Sequence, residues 1–136
     1  MAIIATLAAI AIPNYMSALR KAMITRVMSD LHYIDRQVTL WHSDHGHYPD
    51  SLAEVLRVPM KDAWGSPYQY LRIDGVDPPP RGKWRKDRFL VPINSDFDLY
   101  SMGPDRRSRP PLTASHSRDD IIRAADGAFF GTAADY

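Results

Sequence analysis

Hydrophobic positions are spread very unevenly along this chain. From Met1 to Pro13 it reads MAIIATLAAIAIP, with no charge and one hydroxyl. From Asn14 onward apolar side chains recur at Tyr15, Leu19, Met23, Val27, Leu31, Ile34, Val38 and Trp41. Steps of three and four place them on one stripe of a helix. Arg20, Lys21, Arg26, Asp30, Asp35 and Arg36 fall mostly off that stripe. No turn signal separates the two segments. The pattern predicts one helix of roughly 40 residues, apolar all round at its start and one-sided afterwards. Pro13 lies inside it, and its missing N–H predicts a kink rather than an end. Gly46 and Pro49 predict the stop.

The later elements are short. Asp50 or Ser51 is placed to cap a brief helix with Leu52, Val55 and Leu56 turned inward. Tyr68 to Arg72 alternates as a strand does, and Phe89–Ile93 and Phe97–Ser101 read as two more. Ile121–Ala124 and Ala128–Phe130 read as a terminal hairpin about Asp126-Gly127. Between them DGVDPPPRGKWRK, Asp74 to Lys86, reads as an irregular exposed loop. The fold class is α+β, a long N-terminal helix packed on a small antiparallel β-sheet.

The apolar start has two readings on length alone. Thirteen residues fall short of the roughly 20 that span a bilayer, which allows a buried core helix. A helix at the edge of a small domain keeps a wet side, however, and this segment has none. It does not read as a signal peptide, because Arg20 and Lys21 follow it and no basic residue precedes it.

Composition narrows the function classes. A chain of 136 residues buries one core. With 17 basic and 16 acidic side chains the net charge is +1, which argues against a dedicated nucleic-acid binder. Arg81, Lys83, Arg85, Lys86 and Arg88 around Trp84 still leave two readings, a solvated loop or a grip on single strands or anionic polymers. Absence of cysteine excludes disulfides, thiolate metal sites and a cysteine nucleophile. There is no Gly-x-Ser-x-Gly, no phosphate-binding glycine loop and no His-Glu-x-x-His, so the chain reads as a non-enzyme.

Two stretches carry a resemblance. AIIATLAAIAIPNY resembles the later part of the N-terminal segment of type IV pilins and type II secretion pseudopilins. HGHYPDSLAEVL is similar to the "Gly-x-Tyr-Pro" turn and short helix of that superfamily. DAWGSPYQY, from Asp62 to Tyr70, resembles the Asp-Pro-Trp-Gly-x-Pro-Tyr-x-Tyr signature of the major pseudopilins of type II secretion, with Ala63 in place of the proline. Trp64, Gly65, Pro67 and Tyr68 form this fold motif: an apolar anchor, a turn and the entry to a strand.

The resemblance implies a pilin-like fold. Residues 1–19 would be the membrane and filament-core half of the helix, packing through Ile3, Ile4, Leu7, Ile10, Ile12 and Pro13. Residues 20–136 would be a periplasmic head that includes the amphipathic half. A basic leader, a cleavage-site glycine, a methylated phenylalanine and an acidic residue, all typical of the family, are expected upstream of Met1. The implied function is a structural subunit of a helical pseudopilus that drives protein secretion across the outer membrane. Its partners would be further copies, other pseudopilins and an inner-membrane assembly platform. Work would come from a separate cytoplasmic ATPase. A surface type IV pilus subunit and a membrane-anchored module binding nucleic acid or anionic polymer remain alternatives.

One loop invites a cation. Asp98 to Asp105 and Ser117 to Ile121 frame a segment with little apolar content and three prolines, Pro104, Pro110 and Pro111. Long structureless loops need something to offset their ordering entropy. Asp105, Asp119 and Asp120 would repel one another if gathered, and a hard cation reverses that sign. The family resemblance implies structural calcium on these three side chains, with Leu99 and Met102 offering main-chain carbonyls. Arg106, Arg107, Arg109 and Arg118 offer the alternative, direct pairing with the aspartates. A second cluster, His42, Asp44, His45 and His47, reads either as a transition-metal site or as exposed histidines at a helix C-terminus.

Overall fold

The structure, a computed structural model, describes residues 2–136. Helix α1 runs from Ala2 to His45 and passes through Pro13 without ending. At 1.5 Å per residue it is about 66 Å long. Gly46 terminates it in the left-handed conformation, φ 76°, and donates its N–H to the His42 carbonyl. A Cβ is strained in that conformation, which explains glycine here.

Only the second half of α1 meets the rest of the chain. Val27, Leu31, Ile34 and Val38 of the predicted stripe are fully buried. They pack on a four-stranded antiparallel meander, β1 (Gln69–Arg72), β2 (Phe97–Ser101), β3 (Ile121–Ala124) and β4 (Phe129–Thr132), in that spatial order. Alternation sends Phe97, Leu99 and Ile121 toward the helix. It sends Ile122 and Ala124 to the other face, where Ile93, Leu112 and Ala133 complete a second small core. In the first half of α1, by contrast, Ile3 is 75% exposed and Ile12 62%.

Polar side chains fasten helix to sheet. Arg123 of β3 lies within the buried layer, donating to Asp35 of α1 at 2.5 Å and to Asp96 at 2.7 Å. Its guanidinium stacks 4.0 Å over the Phe97 ring. Tyr68 donates its hydroxyl to Asp30 of α1, and Tyr70 donates to the Pro49 carbonyl. The tyrosines of DAWGSPYQY thus tie the sheet edge to the helix and to the turn that follows it. Trp64 is half-buried against the same core. His42 stacks on Tyr48 and His45 on Trp41.

Two expectations need correction. Phe89–Ile93 is not a strand: Asp87 and Leu90 close a tight turn on each other, and Phe89, Leu90 and Val91 face solvent. Pro92 has no N–H to give a ladder, and only Ile93 reaches the core. The loop from Asp74 to Lys86 is not wholly exposed. Arg85 within it is 2% exposed, and its backbone N–H donates to the buried carboxylate of Asp98.

The two halves of α1 should respond differently to truncation. Leu31→Ala should cost about 2–5 kcal/mol in urea unfolding, the usual loss for a buried leucine. Ile4→Ala should leave head stability within about 0.5 kcal/mol, as exposed positions do. Equal losses at both sites would contradict this division.

Candidate metal centre

The three predicted aspartates do come together. One carboxylate oxygen from each of Asp105, Asp119 and Asp120 lies within 4.8 Å of the others. They arrive from the two ends of the loop between β2 and β3. Three local features set this up.

The DAWGSPYQY turn supplies the first. Asp62 is buried, and its Oδ1 accepts the backbone N–H groups of Trp64 and Ser66 at 3.0 and 2.9 Å. Its Oδ2 accepts the Ser101 hydroxyl at 2.7 Å. Ser101 Oγ in turn accepts the N–H of Gly103. The fold motif is therefore wired to the first residues of the aspartate loop.

Gly103 is the second. Its φ is +70°, and an added Cβ would lie 2.4 Å from the Asp119 carbonyl oxygen. Only glycine permits the two loop ends to approach this closely. Asp105 then donates its N–H to Asp119 Oδ2 at 3.2 Å. The His116 ring lies 3.8 Å from the Asp105 carboxylate.

Arg85 is the third. Asp120 is 0% exposed, and its Oδ2 accepts from Arg85 at 2.8 Å and from the Ser108 hydroxyl at 2.5 Å. Arg85 also donates to Ser108 and to the Arg109 carbonyl, and its guanidinium stacks 4.2 Å from the Tyr100 ring centre. Arginine pairing does occur here, but not as expected. Among the described residues none of Arg106, Arg107, Arg109 and Arg118 pairs with an aspartate. The partner comes instead from the 74–86 loop.

Pairing is incomplete. Oδ1 of Asp119 and Oδ1 of Asp120 are buried without a hydrogen-bond partner. Two orphaned carboxylate oxygens beside a third carboxylate make an all-oxygen donor set, the kind that a hard divalent cation accepts. Met102 is half-buried next to Gly103, so its carbonyl belongs to the loop end. Leu99 sits within β2 opposite Tyr70, its side chain in the core.

The electrostatics agree. Burial pushes the Asp120 carboxyl up to about 7, outweighing the hydrogen bonds from Ser108 and Arg85. Burial also raises Asp119, with the charge of Asp105 adding to it. Asp98 is raised by burial against the bonds from Arg85 and Asn94. Each shift records a carboxylate held where its charge is costly.

Comparison with known proteins then decides the family. The chain is 30% identical over 111 residues to the type II secretion system core protein G of Escherichia coli (strain K12), covering 76% of this chain and 73% of that protein. This chain belongs to the type II secretion core protein G family. No family model matches it. No solved structure matches it at a significant level. Its reading as a type II secretion pseudopilin thus rests on that relative, and the helix-on-sheet fold is the pilin-like one that the resemblance implies.

In this pseudopilin two site residues escaped the sequence. Arg85 is one cation among several in RGKWRKDR, with no local mark to distinguish it. Ser108 is one serine in a run of arginines and prolines. Only the third dimension joins them to Asp120.

Two outcomes follow from this geometry. Gly103→Ala should destabilise the pseudopilin by more than about 1 kcal/mol, since alanine is strained at positive φ and would meet the Asp119 carbonyl; urea unfolding measures it. The second concerns pH in chelator. Asp98, Asp119 and Asp120 bind protons more tightly folded than unfolded, so their favourable contribution is complete below about pH 4. It is lost as pH rises through the folded values, near 7 for Asp120. The cation-free melting temperature should therefore fall between pH 5 and 8, and a rise over that range would contradict the assignment.

Proposed function

We propose that this pseudopilin is the subunit of a helical periplasmic filament that drives protein secretion across the outer membrane. A single observation carries the reading. An 18-residue stretch of α1 has a mean hydropathy of 1.7 and none of it is buried within the chain. So large an apolar surface on one helix needs a solvent other than water. The inner membrane supplies it before assembly, and the same helices of neighbouring copies supply it afterwards. Ile3, Ile4, Leu7, Ile10 and Ile12 then pack against their equivalents. A contact that repeats head to tail without closing generates a filament. Residues 20–136 form the periplasmic head, and other pseudopilins and an inner-membrane platform are the assembly partners. Force comes from a separate ATPase, and the chain itself catalyses nothing.

Calcium completes the head. Asp105, Asp119 and Asp120 are the side-chain ligands, with main-chain carbonyls of Leu99 and Met102 as further donors. The orphaned oxygens of Asp119 and Asp120 support this reading. When bound, the ion offsets repulsion among the three carboxylates and fastens the loop from Met102 to Asp120.

Filaments seen by electron microscopy of cells overproducing the chain should vanish with Leu7→Asp, and secretion should fail with them. Persistent surface fibres without a secretion defect would instead favour a type IV pilus. For calcium, excess EGTA should lower the melting temperature of the head by several degrees, the shift expected for about 1–2 kcal/mol in a domain of this size. An unchanged melt rules out a structural role for the ion.

A further inference from the structure

The aspartate site contains a positive charge before any ion arrives. Arg85 is 2% exposed, yet it comes from a loop that is otherwise basic and mostly solvated. Three contacts hold its guanidinium against Asp120, Ser108 and the Arg109 carbonyl, and Tyr100 closes it from one side. The backbone fixes its position independently of the site. Its N–H bonds Asp98, and its carbonyl accepts from Ile93. Next to it, Lys86 donates its N–H to the Pro110 carbonyl and accepts the Leu112 N–H, which joins the 74–86 loop to the aspartate loop. Arg85 uses only one oxygen of Asp120, and Oδ1 of the same carboxylate stays unpartnered.

We propose that Arg85 is a built-in counter-ion of the calcium site, a positioning residue that holds the ion-free loop folded and limits how tightly calcium binds. The inference rests on the calcium reading above. Three carboxylates and one guanidinium leave a smaller net negative charge than the carboxylates alone. In the ion-free state Arg85 offsets part of the repulsion that would otherwise open the loop. In the bound state the same charge opposes the incoming cation. A side chain that stabilises one state over the other changes calcium affinity by the same factor that calcium changes its contribution to folding.

Substitution separates this role from simple packing. Arg85→Gln removes the charge and retains hydrogen-bonding capacity, whereas Arg85→Lys retains the charge. Calorimetric titration of calcium into the full chain in detergent at pH 8 should show Arg85→Gln binding about tenfold tighter than the parent, in the usual range of site–site coupling. Arg85→Lys should stay within about threefold of the parent. The melting temperature of Arg85→Gln should fall further in EGTA than in calcium. If that variant unfolds in EGTA, recovery of its native circular dichroism on adding calcium supports the proposal, and failure to recover overturns it. Unchanged or weaker calcium binding by Arg85→Gln reduces Arg85 to a packing role and overturns the proposal alone. Absence of calcium binding by the parent chain overturns this inference and the calcium reading together.

Discussion

One helix carries two kinds of surface. Its C-terminal half presents a narrow stripe, and a four-stranded meander covers that stripe with Phe97, Leu99 and Ile121. Its first turns, to Pro13, present apolar side chains in every direction, and among the described residues no second sheet covers them. Burial of apolar area drives folding and association alike. The same force therefore closes the head on one half of the helix, while the apolar side chains of the other half stay exposed.

Polar contacts add to that packing. Arg123 reaches through the buried layer from β3 to Asp35 of the helix, and Tyr68 reaches Asp30 from the sheet edge. Both bonds lie far apart in sequence, and both are made in surroundings where a lost partner is costly. The turn motif around Trp64 does a second job through Asp62, which carries order from the sheet edge to Ser101 and so to Gly103. Fold and candidate metal centre are thus continuous: disturbing the motif reaches the loop that gathers Asp105, Asp119 and Asp120.

Legibility in the sequence followed the range of the interaction. The long helix was readable because its periodicity repeats over many turns, and its stop was readable because Gly46 meets a local backbone requirement. The terminal hairpin was readable from Asp126-Gly127, and its last strand begins and ends slightly later than the pattern suggests. Phe89 to Ile93 is apolar without forming a strand, because a turn closes there and Phe89, Leu90 and Val91 face water while only Ile93 is buried. At the candidate site, the three carboxylates could be named from charge and loop length together with family resemblance. Their cationic neighbour could not. Four nearby arginines looked equally able to pair, and the one that does so comes from a different loop.

On the filament reading proposed above, the exposed side chains from Ile3 to Ile12 dock on lipid or on sister chains instead of filling the chain's own core. Sedimentation of the full chain with and without detergent tests it most directly. The account predicts a monomer in detergent micelles and large assemblies or precipitate once detergent is removed, with the head's circular dichroism unchanged. A monodisperse, folded monomer in plain buffer would contradict it.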